Sequence, residues 1–327
     1  MSRWSAHARN PVVRPGQLNP PYDSKLAGGA CVIAVGDLLR LYYWGGGADG
    51  LNYICMAEAG AGNDQQWRGF GAVLSRQADN PFNSTGPAAP MVVPVTDKRW
   101  LMYVVGKGVM PRRGYLNDVI LCAESTDAGW TWNYLGREPV IPRDRPYDQD
   151  GTASMFVMYE AGRFRMWYTA FQYRPAAEAA WMERVVHGRP PGRIPYLGIA
   201  YAESADGLTW SKPVAQLVVR PREDRVKPVE HWVAKPWIVR LAAADYRLWV
   251  CCIGTTYRIH ALRSRDGVAW SWEQPAGEPD LNVGAPGAFD DAMVGYPCVL
   301  RIGDELHCWY TGNGYGAAGI GHVVRSL

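Results

Sequence analysis

The sequence predicts an all-β protein that folds as a five-bladed β-propeller with four-stranded antiparallel blades. Three observations lead to this prediction. The chain carries 15 Trp and 18 Tyr against 6 Phe, with 36 Gly and 24 Pro, which is typical of many short strands and tight turns. A pair of apolar strands recurs five times along the chain. A turn close to Ala-Glu-Ser-x-Asp-Gly-x-x-Trp follows several of these pairs.

Each repeat begins with an apolar strand, a short turn and an aromatic strand, as a hairpin requires. The aromatic strands are LYYWGGG (41–47), LMYVVGKG (101–108), RMWYTAF (165–171), RLWVCCIG (247–254) and HCWYTGNG (307–314). A third strand ends in the turn sequence, and a fourth strand begins at its Trp. A spacing of about 60 residues between repeats fits a four-stranded propeller blade.

The turn sequence is predicted to join the two outer strands of a blade. It reads AESTDAGWTW at 123–132, AESADGLTW at 202–210 and LRSRDGVAW at 262–270, with a degenerate copy at 57–67. Ser and Asp can cap such a turn, Gly can adopt a positive φ, and Trp can pack between blades. Residues 125–132 also resemble the Ser-x-Asp-x-Gly-x-Thr-Trp box of sialidases. We interpret that box as structural, because the turn lies on the rim.

The last repeat stops after its third strand, GIGHVVRSL (319–327). We expect the N-terminal segment WSAHARNPVV (4–13) to supply the missing outer strand and close the ring, which removes exposed sheet edges. Residues 1–327 are then one propeller domain. The segment 172–195 is long for a blade loop, so we expect it to be a lid or an oligomer contact.

Charge and cysteine content exclude several classes of protein. The net charge of +3 is small and the basic residues are scattered, so we expect no nucleic-acid partner. No window approaches the ~18 apolar residues of a membrane span, and the N-terminus lacks an apolar segment, so we expect a cytoplasmic protein without membrane contact. The 7 cysteines lack Cys-x-x-Cys spacing and predict buried thiols. No oligomeric state is predicted.

Polar residues recur at one offset before the first strands. Counting back nine residues from a central apolar position of each first strand gives Asp23, Asn83, Asp148, Glu230 and Asp290. First strands of a propeller begin at one face, so these side chains are expected at one mouth of the channel. Crowded carboxylates raise one another's proton affinity, which suits the acid and base of glycoside cleavage. The alternative is that they cap loops or pair with Arg.

Aromatic residues near the same mouth are candidates to stack on a sugar ring, although most Trp and Tyr of the chain must pack the blades. These candidates are Tyr22, Trp44, Tyr147, Trp232 and Tyr296.

The chain resembles the five-bladed propeller glycoside hydrolases of families 43, 62, 32 and 68, with the related phosphorylases of family 130. The likeness spans NPVVRPG (10–16), the five blades, the Asp before the first strand and the repeated turns. The resemblance to family 43 implies that Asp23 is the general base, Asp148 a modulator and Glu230 the general acid. Asp150 competes with Asp148. The resemblance to the phosphorylases implies instead that the acid is an Asp, with Asp148 or Asp150 as the candidate, and that Lys235, Arg145 or His231 would hold phosphate.

Two departures narrow this resemblance. The first-blade motif is YDSKLAGG (22–29) in place of the Asp-Pro usual in family 43, which leaves family 43 membership open. The Trp-Met-Asn-Asp and Arg-Asp-Pro motifs of the sucrose-acting families are absent. This argues against invertase or levansucrase activity.

The leading hypothesis is a glycosidase that acts on a small or terminal glycan unit. A phosphorylase, a tailoring enzyme for a sugar-bearing metabolite, and a non-catalytic carbohydrate-binding propeller are the alternatives. We expect no cofactor; an axial calcium ion, as in some relatives, would have no contiguous ligand motif here. The expected partner is a carbohydrate or a sugar-bearing small molecule. The substrate-binding candidates are Asp150, Asn83, His231, Lys235, Asp290, Asp291, Tyr296 and Trp44.

Overall fold

A computed structural model describes residues 3–62, 66–108, 118–175, 195–222, 230–254 and 256–327. These residues form nineteen β-strands and one short helical turn. The predicted all-β class and five-bladed propeller are confirmed. In the described ranges no helix is long and apolar enough to cross a membrane.

The N-terminal strand β1 (Ser5–Ala6) precedes the blades. The strands of the first blade are β2 (Leu26–Val35), β3 (Leu38–Gly46), β4 (Asn52–Gly60) and β5 (Arg68–Leu74). Those of the second are β6 (Gly86–Pro94), β7 (Trp100–Lys107), β8 (Val119–Ser125) and β9 (Asn133–Tyr134). Those of the third are β10 (Gly151–Glu160), β11 (Arg163–Tyr173) and β12 (Pro195–Ser204).

The strands of the fourth blade are β13 (Trp232–Ala242), β14 (Asp245–Ile253), β15 (Tyr257–Ser264) and β16 (Ser271–Trp272). Those of the fifth are β17 (Gly295–Ile302), β18 (Glu305–Thr311) and β19 (Ile320–Ser326), with the turn α1 (Asn313–Gly316) before β19. Neighbouring strands are antiparallel throughout each sheet.

The outermost strand of the third blade and that of the fifth blade form differently from those of the other blades. In the third, the fourth position is a single bridge in which Glu203 and Ser211 exchange backbone hydrogen bonds of 2.8 and 2.9 Å. In the fifth, β1 pairs with β19, with Ser5 opposite Val324. The predicted closure of the ring by the N-terminal segment is therefore confirmed.

The first strands of the five blades surround a central axis. Each contacts the first strands of both neighbouring blades, and β17 contacts β2, so the ring closes on itself. The insertion predicted at 172–195 begins within β11 and ends at the start of β12, and its residues 176–194 lie outside the described residues.

Three neighbouring pairs of blades are joined by the same hydrogen bond, which we call the blade lock. An aromatic side chain of the second strand donates to the Gly carbonyl in the turn sequence of the next blade. The pairs are Tyr42 Oη with Gly129 at 2.7 Å, Tyr103 Oη with Gly207 at 2.7 Å and Trp167 Nε1 with Gly267 at 2.6 Å. The turn sequence therefore fixes the relative position of the blades at these three interfaces.

Side chains of the turn hold that carbonyl in place. The Ser204 hydroxyl accepts from the Gly207 N–H at 2.9 Å, and Asp206 accepts from the Thr209 and Leu208 N–H groups at 2.7 and 2.8 Å. These N–H groups lower the pKa of Asp206 to about 2. Trp210 packs edge-on against Tyr103 of the preceding blade, with ring centroids 5.9 Å apart. The predicted structural role of the turn is thus confirmed.

The ring closure is anchored on His322. The backbone of this residue bonds to the Asn10 side chain at 2.8 and 2.9 Å and to the His7 N–H at 3.0 Å. Its imidazole is buried, stacks on Trp309 and lies 3.1 Å from the His307 ring nitrogen. Burial, together with the neighbouring histidines, lowers the pKa of His322 to about 3.

The 7 cysteines, all within described residues, are buried and free, as predicted. Burial raises the pKa of Cys31 to about 12, so the thiol stays protonated and serves as packing.

The blade lock predicts a stability difference between two glycine substitutions. Gly207 and Gly36 both have positive φ, but a Cβ at Gly207 would lie 2.8 Å from Tyr103 Oη, whereas one at Gly36 meets nothing within 4 Å. We expect Gly36→Ala to cost about 1 kcal/mol and Gly207→Ala about 2 kcal/mol or more. Urea unfolding measures both. Equal losses would show that the contact with Tyr103 contributes nothing.

The His322 anchor predicts a loss of stability in acid. The folded pKa is about 3 against an ordinary 6.5, so the unfolded chain binds the extra proton. The stabilisation that comes from keeping His322 neutral is fully present above pH 6.5 and is lost as the pH falls toward 3. At pH 5 the free energy of unfolding should already be lower by about 1–2 kcal/mol. The free energy of unfolding between pH 7 and 4 should vary less in His322→Gln than in His7→Gln. An unchanged slope in His322→Gln contradicts this.

Candidate functional site

A pocket of about 320 Å³ lies on the propeller axis, at the face where the first strands begin. Ala89, Ser154, Lys235 and Tyr296 of four different first strands line it. Beneath it is a cavity of about 30 Å³, lined by two or three consecutive residues from each first strand. These residues are Gly29 with Ala30, Ala89 with Pro90, Ser154 with Met155, Lys235 with Pro236 and Trp237, and Tyr296 with Pro297. The lining by all five first strands places the pocket on the axis.

A β-bulge in each first strand shapes the floor of the pocket. The pairing of every first strand with its second strand shifts register near the axis. At this bulge Gly29, Ala89, Lys235 and Tyr296 adopt φ of 59°, 46°, 59° and 51°. A bulge redirects a side chain, and left-handed backbone costs a non-glycine residue about 1–2 kcal/mol. Such strain is retained where the surrounding structure fixes it, often at functional sites.

Lys235 occupies an aromatic cage formed by three tyrosines. Its Nζ lies 3.6 Å from the ring centre of Tyr296, 4.7 Å from that of Tyr257 and 5.1 Å from that of Tyr315. The hydroxyls of Tyr257 and Tyr315 are 2.8 Å apart. Burial lowers the pKa of Lys235 to about 8 and raises that of Tyr257 well above 10.

The wall opposite the cage carries an ion pair between Lys107 Nζ and an Asp118 carboxylate oxygen, 2.6 Å apart. Lys107 ends β7, and Asp118 stands directly before β8. Asp118 is buried, and among the described residues that line the pocket it is the one carboxylate.

The predicted carboxylates lie outside this pocket, under the loops that precede the first strands. Each repeated Asp accepts a hydrogen bond from the tyrosine twenty positions later. The pairs are Asp23 with Tyr43 at 2.7 Å, Asp148 with Tyr168 at 2.8 Å and Asp290 with Tyr310 at 2.8 Å. Asp148 also accepts from Lys212 at 2.5 Å, and Asp23 from the Asn19 N–H at 3.1 Å.

Strand alternation explains this placement. Successive residues of a strand face opposite sides of the sheet. Trp44 and Thr169 line the pocket, so their neighbours Tyr43 and Tyr168 face away from it. The aspartates that bind these tyrosines therefore stabilise the loops.

Glu230 is buried in a separate ion-pair cluster. Arg222 donates to both carboxylate oxygens at 2.6 and 2.7 Å, and the Gly277 N–H donates at 2.9 Å. His260 Nδ1 lies 3.4 Å away, and burial lowers the pKa of His260 to about 4. The structure does not bring Asp23, Asp148 and Glu230 together in a cavity. Their assigned catalytic roles stay a prediction.

The remaining candidates divide between the pocket and its surroundings. Lys235, Tyr296, Trp44 and Trp232 line the pocket. The others make contacts away from its lining. Asp150 accepts a hydrogen bond from the Tyr173 N–H at 2.6 Å, and Asp291 accepts one from the Asn313 side chain at 2.7 Å. Asn83 and His231 are buried, and the backbone N–H of Arg145 donates to Asp148. Tyr22 packs on Tyr53, and the Tyr147 hydroxyl donates to the Val214 carbonyl.

Sequence reasoning missed Asp118, Lys107, Tyr257 and Tyr315. Asp118 and Lys107 could have been found by comparing the blades at the start of the third strand and the end of the second strand. These positions lie at the same mouth of the channel as the starts of the first strands. No group of three or more His, Cys, Asp or Glu in the described ranges could hold a metal ion.

Comparisons with known proteins agree with this fold. No family model matches the chain. The uncharacterized proteins Rv1502 and MT1551 of two Mycobacterium tuberculosis strains are each 27% identical over 296 residues, with 88% of each chain covered. A solved glycoside hydrolase has a TM-score of 0.71 at 15% identity, covering 96% of this chain and 90% of its own.

Two further solved structures are similar. A family 117 glycoside hydrolase of Zobellia galactanivorans has a TM-score of 0.64 at 13% identity, covering 99% of this chain and 90% of its own. A protein of the family 130 mannoside phosphorylases, described as including hydrolases of β-1,2 mannosidic linkages, has a TM-score of 0.70 at 11% identity, covering 99% and 94%. The chain thus has the fold of the propeller glycoside hydrolases and phosphorylases, as its resemblance predicted.

The two carboxylates that share Lys212 predict different costs of neutralisation. Asp148 is buried against this lysine, whereas the side chain of Asp144, 2.7 Å from the same Nζ, is 57% exposed. We expect Asp148→Asn to lower the free energy of unfolding by about 3 kcal/mol, because Lys212 loses its buried partner. Asp144→Asn should cost about 1 kcal/mol or less. Denaturant unfolding measures both free energies. Similar losses of stability in the two variants would contradict the structural role of Asp148.

Proposed function

We propose that this protein is a glycosidase that acts on a small or terminal glycan unit bound in the axial pocket. The observation that carries this proposal is the pocket itself, which combines aromatic rings with a carboxylate on an enzyme-type propeller.

The size and lining of the pocket suit a sugar. Its volume of about 320 Å³ is near the lower end of the range of ligand sites, roughly 300–1,000 Å³, which favours a small unit. Aromatic rings offer apolar faces for the C–H side of a sugar ring, and tyrosine hydroxyls bind its oxygens. The aromatic lining residues are Trp44, Phe171, Trp232, Tyr257, Tyr296 and Tyr315.

Asp118 is the group that we assign to proton transfer. Positioned carboxylates exchange protons with reacting oxygens in glycoside cleavage. Lys107 fixes the Asp118 carboxylate from one side. The Tyr257 hydroxyl, 2.8 Å from that of Tyr315, remains a protonated donor near neutral pH, since burial keeps the pKa of Tyr257 well above 10. This hydroxyl would bind substrate oxygens.

The predicted acids support this site indirectly. Asp291 accepts from Asn313, and Asn313 accepts from the backbone N–H groups of Ala292 and Met293, which fixes the turn that carries Tyr315. Asp23 and Asp148 hold Tyr43 and Tyr168, each next to a residue of the pocket wall. We therefore propose positioning roles for these carboxylates.

The activity test compares two carboxylate substitutions on a panel of aryl glycosides. Asp118→Asn should reduce kcat by about 10²- to 10⁴-fold, the usual contribution of a positioned acid or base, while the protein stays folded, which a thermal scan checks. Asp150→Asn is the matched control, because the Asp150 carboxylate accepts from the Tyr173 N–H and lies outside the pocket lining, and this variant should retain kcat within a fewfold.

The same assay separates the alternatives. Turnover that requires added phosphate would identify phosphorolysis. Undiminished turnover in Asp118→Asn would reject the assignment of Asp118. Sugar binding without any turnover across the panel would favour a binding propeller and reject the proposed activity.

A further inference from the structure

The charges of the axial pocket do not balance. Lys107 and Asp118 neutralise each other at 2.6 Å. Lys235 is the remaining charged side chain of the described lining, and no carboxylate of the described residues lies within ion-pair distance of its Nζ. A charge in an apolar surrounding without a partner is costly, so its retention calls for a function.

The structure holds this ammonium rigidly. The backbone of Lys235 has φ of 59°, its N–H donates to Thr169 Oγ1 at 2.9 Å, and Pro236 follows directly. Three tyrosine rings stabilise the cation, but an aromatic face offers no oxygen acceptor to its N–H groups. Lys235 is partly exposed, and it lines the pocket, so its free donors face the space that a ligand would occupy.

We infer that the sugar bound in this pocket carries an anionic substituent, a carboxylate or a phosphate ester, whose oxygens bind the Lys235 ammonium. This inference rests on the proposed function to the extent that the axial pocket is the substrate site. It adds the substrate class: an acidic sugar in preference to a neutral one.

The environment of Lys235 also fixes the pH range of such binding. The groups that face its ammonium are Tyr257, Tyr296, Tyr315, Cys251, Lys107 and Asp118. Burial raises the pKa of Tyr257 and Tyr296 well above 10 and that of Cys251 above 9, so these groups stay neutral near pH 8. The pKa of Lys235, lowered by burial to about 8, then determines when the pocket loses its positive charge.

The test is calorimetric binding of a panel of uronates and sugar phosphates, each measured beside its neutral parent sugar at pH 7. We expect at least one acid to bind about 10- to 100-fold more tightly than its parent, the range of a charge-assisted hydrogen bond. Lys235→Met should abolish that difference, so that the acid binds no more tightly than its parent sugar to the same variant. Lys98→Met, at an exposed lysine in the hairpin between β6 and β7, is the control and should change nothing.

The native protein provides a second measurement that needs no substitution. Affinity for the acidic sugar should fall about tenfold between pH 7 and pH 9, whereas an ordinary lysine would hold its charge over this range. The affinity for the neutral parent should stay constant.

Three results would overturn the inference: equal binding of acids and parents, no binding by any acid of the panel, or displacement of the acid by inorganic phosphate alone at similar concentration. The last result would assign Lys235 to free phosphate. Failure of the proposed function is distinguishable, because acid-selective binding without glycoside turnover would reject the hydrolase and leave the inference standing.

Discussion

The hydrogen bond between an aromatic side chain of one blade and a glycine carbonyl of the next determines where the walls of the axial pocket stand. It occurs at three successive blade interfaces with distances of 2.6–2.7 Å. Each pocket wall is the inner end of a blade, so a rotation of one blade would displace its lining residues. The pocket draws residues from all five blades, and three of the interfaces between them carry this hydrogen bond.

The polar residues that stabilise the fold and those that line the pocket follow different patterns along this chain. Carboxylates that repeat with the blades accept hydrogen bonds from tyrosine, lysine or arginine side chains, although Oδ1 of Asp23 is buried without a hydrogen-bond partner among the described residues. The charged residues of the pocket occur once each and belong to no repeat. In a repeat protein, residues that recur at the same offset satisfy the needs of every blade, whereas departures from the repeat mark the site. Lys235 and Asp118 are such departures.

Most of the fold could be predicted from the sequence because its signals are local and repeated. Hairpin spacing gave the strand pairs, and the turn Ser204-Ala205-Asp206-Gly207 gave the outer connection, with hydrogen bonds of the expected kind. Ring closure followed from a missing strand in the last repeat. The reduced fourth strand of the third blade, a single bridge at Ser211, was not predictable, because Trp210 and its turn look like the others.

The site was only partly predictable. Trp44, Lys235 and Tyr296 are in the pocket, but the offset rule placed the acids at the correct face without resolving which side of the strand they occupy. That choice depends on the bulge near the axis, which shifts the alternation of side chains and has no clear signature at Lys235 or Ala89. The partner tyrosines, twenty residues later, are the signal that could have indicated burial.

The narrow cavity beneath the pocket limits how a substrate can travel. Its volume of about 30 Å³, bordered by proline after Ala89, Lys235 and Tyr296, has room for about one water molecule and not for a glycan. A polymer cannot thread through the propeller, and whatever enters must leave by the same opening. Release must therefore precede the next encounter, and under the proposed function this geometry would favour cleavage at chain ends over cleavage within a chain.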